Sequence, residues 1–138
     1  MDWRADKMSR LLLVTSIAEA ATGVALIVVP FLVGRLLVGQ EFSGVAAVVA
    51  RLAGIALVAL GIACLPGGDA ARALRGMFAY NALAAVFLLY LGIRGDWVGP
   101  VLWPAVALHA VIASLLGRGW LVNLRAGGRD NHATTKGR

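Results

Sequence analysis

The sequence predicts an all-α integral membrane protein whose helices form a four-helix, up-down bundle. Hydrophobic residues make up 60% of the 138 residues and charged residues only 14%, whereas an ordinary water-soluble domain has roughly 45–50% and about 25%. Four apolar runs are long enough to cross a hydrocarbon core, which takes about 20 helical residues. A domain this small has too much surface to bury so many apolar side chains in water, so we expect a bilayer around it.

The four runs end at residues that break helices or turn the chain. We predict the spans Leu11–Val33, Gly44–Leu65, Ala73–Ile93 and Val98–Leu116. Pro30 lies near the end of the first span, and a Pro-Gly-Gly sequence stops the second. Pro100 is expected in the first turn of the fourth helix, where a missing N–H is harmless, and Pro104 is expected to kink that helix.

Helices are the required secondary structure, because lipid offers no partner to an open backbone. The runs also lack the polar–apolar alternation of strands in a membrane β-barrel. Because the connections are short, we expect successive helices to be antiparallel neighbours.

The distribution of basic residues predicts the orientation of the bundle. Ten Lys and Arg residues lie in the N-terminal stretch, the second loop and the C-terminal tail, and two, Arg35 and Arg94, lie in the first and third loops. Cytoplasmic segments carry the excess of Lys and Arg, so we predict that both termini are cytoplasmic and that the protein is a multi-pass protein of a bacterial inner membrane. Tryptophans near the span ends agree with this orientation; they are Trp3 and Trp120 on the inner side and Trp97 and Trp103 on the outer side.

The chain divides into a transmembrane domain, residues 1–121, and a basic tail, residues 122–138. The tail loses apolar periodicity and contains Gly, Asn and Thr, so we expect it to be flexible and cytoplasmic. The formal net charge of +6 is concentrated at segment ends, which is typical of contact with anionic lipid head groups. We therefore predict the lipid bilayer as a partner and no nucleic acid.

Each predicted span carries one conspicuous polar residue: Glu19, Arg51, Asn81 or His109. Charged groups at mid-membrane are costly, so we expect an intramembrane polar cluster facing the bundle interior. At about 1.5 Å per residue, three of them lie roughly 12 Å from the cytoplasmic ends of their helices, and Arg51 lies about 21 Å away. Arg51 must therefore use its long stem to join the cluster or reach outward instead.

Three hydroxyl residues, Thr15, Ser16 and Thr22, lie on the same helical stripe as Glu19. We expect them to support its carboxyl by hydrogen bonds. Two interpretations of Glu19 stay open, a structural carboxyl that holds helices together or a group that handles protons or substrate. His109 is open in the same way, as a hydrogen-bonded core residue or a proton relay.

The second span contains small residues that recur mostly every fourth position, with an interruption at Leu57. Such a row allows two helix backbones to approach closely. We predict a helix-packing groove formed by Ala46, Ala50, Gly54 and Gly61.

The sequence provides few groups for chemistry. One cysteine, Cys64, and one embedded histidine are too few donors for a zinc or copper site, and a bis-histidine haem needs a second histidine. There is no phosphate-binding loop and no nucleophile elbow. We therefore predict no catalytic residues, no metal, no cofactor and no enzyme activity.

Two short segments resemble known membrane protein families. The run Arg51–Gly61, RLAGIALVALG, resembles DoxX-like small four-helix bacterial membrane proteins, some of which are linked to respiratory or redox complexes. The segment Ser16–Gly23 resembles the first helix of small multidrug resistance transporters, which are dimers that exchange cations for protons. The second resemblance implies that Glu19 is the coupling carboxylate, although the aromatic positions and the Gly-rich third helix of those transporters are not apparent here.

Three functional hypotheses follow. The first is a non-catalytic accessory or scaffold subunit of a larger membrane complex, whose partners are other membrane subunits or further copies of this chain as a homo-oligomer. The second is a proton-coupled small-molecule carrier that uses Glu19 and His109. The third is a quinone- or lipid-binding redox helper with Arg51 at the head group.

Overall fold

The computed structural model describes the backbone of residues 3–135 and the side chains of residues 6–121. Within that part, the chain forms five helices and no strand. They are α1 (Trp3–Val28), α2 (Pro30–Val38), α3 (Gly44–Ala63), α4 (Ala70–Arg94) and α5 (Leu102–Thr135). Four segments are long and apolar enough to cross a membrane: Asp6–Val28, Gly44–Ala63, Ala70–Arg94 and Leu102–Leu121. The predicted all-α fold with four spans is confirmed.

Pro30 divides the first predicted span into two helices. α1 ends at Val28, and α2 begins at Pro30 itself. Proline has no N–H for the carbonyl four residues earlier, and its ring collides with the preceding turn. The prediction of one continuous helix through Val33 is therefore wrong, and α2 is a separate nine-residue helix that ends at Val38 and is capped by Gly39 with φ 77°.

The fourth span begins four residues later than predicted, at Leu102. Pro100 lies in the turn before α5, and Pro104 is the third residue of the helix. The first four N–H groups of a helix have no intrahelical acceptor, so Pro104 removes no helical hydrogen bond there. Pro104 therefore belongs to the first turn of α5, and the prediction that it kinks the helix deeper in the span is wrong.

Beyond the fourth span, the backbone of α5 stays helical to Thr135. This helix covers most of the segment 122–138, for which the sequence predicts a flexible tail. The side chains of that segment, like that of Trp3, lie outside the described residues. Flexibility and cytoplasmic location of the tail therefore stay predictions.

The spanning helices associate as two pairs, α1 with α3 and α4 with α5. These are the first and last pairs of successive spans, as expected. The middle pair, α3 and α4, makes little or no contact, contrary to the expectation that all successive spans are neighbours. α1 takes the place of α3 against the second pair, because α1 contacts every other helix.

The apolar core lies at the N-terminal end of the bundle, defined here as the end where α1 begins, α3 ends and α4 begins. All four spans or their ends contribute to it, through Leu12, Cys64, Leu74, Met77, Ile112 and Leu116. In lipid such a core is stabilised by close packing, since acyl chains are as apolar as the side chains.

At the opposite end, here called the far end, α2 is bound to the segment that precedes α5. The backbone N–H of Gly99 donates to Leu37 O at 3.0 Å, and that of Val101 donates to Leu36 O at 3.0 Å. These bonds satisfy carbonyls in the last turn of α2. They also connect the first half of the chain to the second.

Candidate functional site

The backbones of α1 and α3 approach each other closely at glycine residues. A Cβ atom added to Gly23 would lie 2.5 Å from Gly54 O, and one added to Gly54 would lie 2.5 Å from Gly23 O. Farther along, a Cβ on Gly61 would lie 2.6 Å from Ser16 O. Only glycine permits backbones to approach this closely, so these positions fix the register of the first pair.

This contact uses three of the four residues predicted for the groove. Ala50, Gly54 and Gly61 are buried, and so is Leu57, which fills the interruption in the row. Ala46 is exposed. The antiparallel register that pairs Gly54 with Gly23 places Ala46 beyond the end of α1 at Val28.

A polar cluster joins the two helix pairs, and it consists of Glu19, Tyr80, Asn81 and His109. Glu19 on α1 is only 4% exposed, and Asn81 on α4 is fully buried. His109 on α5 is 17% exposed at its side chain. Glu19, Asn81 and His109 thus share one layer, as the helix rise predicts.

Asn81 is oriented by two hydrogen bonds. Its Nδ2 donates to Met77 O at 3.0 Å, which directs Oδ1 toward His109 Nδ1 at 2.8 Å. Because Oδ1 is only an acceptor, the imidazole must carry its proton on Nδ1. Asn81 therefore sets both the position and the tautomer of His109.

The carboxyl of Glu19 is enclosed by groups from the second pair. The side chains of Asn81 and Tyr80 lie beside it. His109 Nδ1 lies 4.0 Å from Glu19 Oε1. A buried carboxyl with partners of this kind stabilises the helix association instead of opposing it.

Tyr80 is the member of the cluster that the sequence analysis missed. Its ring meets that of His109 edge-on, with centroids 6.0 Å apart and an interplanar angle of 78°. The available signal was its position next to Asn81, which puts its polar tip at the depth of Glu19.

Arg51 does not belong to the cluster. Its Nε donates to Ile27 O at 3.2 Å, and the side chain is exposed. Ile27 lies in the last turn of α1, where Pro30 interrupts the helix and carbonyls lose intrahelical partners. The outward alternative therefore holds, and the expectation of a shared site with Glu19 is wrong for Arg51, which caps a helix C-terminus.

None of the three predicted hydroxyls forms a hydrogen bond with Glu19 in the described part of the chain. Thr15 is buried and donates to Leu11 O at 2.9 Å or Leu12 O at 3.1 Å. Thr22 is exposed and donates to Ala18 O at 2.9 Å. Ser16 is 1% exposed, and its Oγ has no hydrogen-bond partner in the part of the chain that is described. Helical hydroxyls often donate to a carbonyl three or four residues earlier, and this local hydrogen bond competes with one to Glu19.

No known family model, characterised protein or solved structure matches the chain. The likenesses to DoxX-like proteins and to small multidrug resistance transporters therefore stay predictions. Among the described residues, no group of three or more His, Cys, Asp or Glu side chains is arranged to hold a metal ion. The chemistry available to the polar cluster is hydrogen bonding and proton exchange between a carboxyl, a phenol and an imidazole.

Proposed function

We propose that this multi-pass membrane protein is a non-catalytic scaffold or accessory subunit of a membrane complex in a bacterial inner membrane. The observation that carries the proposal is the enclosure of Glu19. Its carboxyl belongs to the first helix pair, and its partners Tyr80 and Asn81 belong to the second. A carboxyl used in this way holds the halves of a bundle together.

The energetics agree with this role. Interhelical hydrogen bonds in membrane proteins contribute on average about 0.6 kcal/mol and at most about 1.7 kcal/mol each. Contact between α1 and the second pair is limited compared with contact inside each pair. The polar contacts of the shared layer and the backbone hydrogen bonds at the far end therefore both help to fix the pairs relative to each other.

The outward surfaces of the bundle leave room for partners. In the most apolar stretch of the α3 span, only 22% of the residues are buried inside the molecule. The corresponding share for the α4 span is 17%. The exposed side of α3 is apolar and includes Val48, Leu52 and Ile55. The exposed side of α4 includes Val86 and Tyr90. A helix covered on one side by its own chain is suited to contact a second membrane protein with the other.

Photocrosslinking in intact membranes tests the proposal. A photoreactive amino acid is placed at Leu52 on α3 or at Val86 on α4, and each product is identified by mass spectrometry. We expect one of these faces to crosslink to a protein and the other to lipid. The same protein should be retained when the wild-type chain is extracted in mild detergent.

A matched variant links the result to Glu19. Glu19→Gln keeps the shape of the side chain and one acceptor oxygen, so the crosslinked partner should be unchanged. Lipid adducts on both faces, together with recovery of a free monomer after gentle extraction, would contradict the scaffold proposal.

A proton-coupled carrier is the second candidate, and the position of His109 favours it. The imidazole lies 4.0 Å from Glu19 Oε1 while its side chain is 17% exposed, so it connects the enclosed carboxyl to the surface of the bundle. A carrier predicts that Glu19→Gln abolishes pH-dependent uptake of small cations into proteoliposomes. Uptake that is absent in the wild type, or unchanged in the variant, would eliminate this candidate.

A further inference from the structure

An open groove runs between α4 and α5 at the N-terminal end of the bundle, outside the polar cluster. Its volume is about 550 Å³. It is lined by Phe78, Ala113, Ser114, Gly117, Arg118 and Leu121. Small residues on α5 form its floor, because a Cβ added to Gly117 would already lie 3.0 Å from the Phe78 ring.

The groove combines an apolar channel with a positive charge at one edge. Arg118 is exposed and makes no ion pair or hydrogen bond within the described part of the chain. Four other arginines in that part of the chain form ion pairs with acidic residues; they are Arg10, Arg35, Arg72 and Arg94. Ser114 cannot supply a competing donor, since its hydroxyl donates to Ala110 O at 2.8 Å.

A second arginine lies toward the same end. α4 and α5 are antiparallel, and Gly117 meets Phe78. Relative to the contact between Gly117 and Phe78, Arg118 lies one residue closer to the N-terminal end of the bundle. Arg75 lies one helical turn closer to that end, on the side of α4 that carries Phe78. Arg75 donates from Nε to Ala71 O at 3.1 Å, which leaves its other N–H groups available.

We propose that this groove binds one anionic phospholipid. Its phosphate is held by Arg118, with Arg75 close by, and one acyl chain lies along Phe78 and Gly117. The guanidinium supplies the planar donors that a phosphate oxygen accepts. The site lies at the end of the bundle that the basic residues place at the cytoplasmic leaflet, where anionic lipids attract Arg and Lys. This inference does not depend on the scaffold proposal.

Native mass spectrometry of the full chain tests the site. The purified protein is titrated in detergent with phosphatidylglycerol and with phosphatidylcholine that carries the same acyl chains. We expect the wild type to retain phosphatidylglycerol preferentially. Arg118→Gln should weaken phosphatidylglycerol binding about fivefold, the size expected for one basic residue near the membrane surface.

Two further variants separate the site from general charge. Arg10→Gln removes one positive charge at the same end of the bundle but away from the groove, and it should leave phosphatidylglycerol binding unchanged. Ser114→Phe fills the groove from an exposed position and should weaken binding of both lipids. Circular dichroism checks that each variant keeps its helix content.

Three results would overturn the proposal. The first is equal binding by Arg118→Gln and the wild type. The second is an equal loss in Arg10→Gln, which would reduce the effect to surface charge. The third is competition by glycerol phosphate as strong as that of the intact lipid, which would show that the groove contributes nothing.

Discussion

Asn81 is the residue on which the polar cluster depends, because it is fully buried and bonds to a backbone carbonyl on one side and to His109 on the other. Depth counting predicted that Glu19, Asn81 and His109 share a layer, since helix rise alone fixes the heights of side chains on straight spans. It did not predict which groups pair. Pairing depends on side-chain direction, as the self-bonded hydroxyls of Thr15 and Thr22 show.

Replacing Asn81 with leucine should destabilise the protein by about 1–3 kcal/mol, because Glu19 and His109 lose a buried partner. Thermal unfolding in detergent measures the loss. Ser114→Ala is the control, since its exposed hydroxyl bonds only to its own helix and its removal should change little. An Asn81→Leu variant as stable as the control would show that the cluster does not hold the two pairs together.

Arg51 should act on the end of α1 and not on Glu19. Arg51→Leu removes the donor to Ile27 O and should cost about 0.3–1 kcal/mol, the usual size of a cation at a helix C-terminus. Amide hydrogen exchange should increase at residues 25–33 and stay unchanged around Glu19. Faster exchange around Glu19 alone would mean that Arg51 pairs with the carboxyl after all.

At the scale of helices, the sequence located every span but misjudged how they end and associate. The apolar runs are long, so their existence was secure from composition. The apolar run predicts a helix that continues past Pro30, whereas in the structure a new helix begins at this residue. Loop length does not predict the lack of extensive contact between α3 and α4. α1 contacts α3 through Gly23 and the second pair through Glu19, which leaves α3 and α4 without extensive contact.

The α1–α3 contact should tolerate no side chain at Gly54. Gly54→Leu would force the two backbones apart, and overpacking of this kind costs about 1–3 kcal/mol. Ala53→Leu places the same side chain at the neighbouring exposed position of α3, where it should have little effect. The two variants are compared by thermal unfolding, and equal stability would contradict the close approach of Gly23 and Gly54.

At the scale of the whole molecule, the number of spans is even, so the start of the first span and the end of the fourth lie on the same side of the membrane. Which side is a prediction from the Lys and Arg distribution. The two arginines of the predicted first and third loops, Arg35 and Arg94, are paired with Glu41 and Asp96. Arg10 and Arg72 at the opposite end are paired as well, so the predicted orientation depends on the number of Lys and Arg residues and not on their pairing.

Cysteine labelling tests this orientation. Cys64 is the only cysteine in the sequence and is buried, so a Cys64→Ala background leaves no other thiol. In intact cells, a membrane-impermeant maleimide should label Gln40→Cys at the far end, and it should label Gly68→Cys only after lysis. Both positions are exposed, so access depends on the side of the membrane. The reverse pattern would invert the predicted topology.

The division of the polar cluster between the two helix pairs has a consequence for biosynthesis. Glu19 is translated early, whereas Tyr80, Asn81 and His109 belong to helices made much later. While the ribosome is still extending the chain, α1 and α3 are able to associate through Gly23 and Gly54, but the carboxyl must wait without its partners. Arrival of α4 and α5 then completes assembly, and a nascent chain stalled before that point carries a membrane-embedded acid without these neighbours.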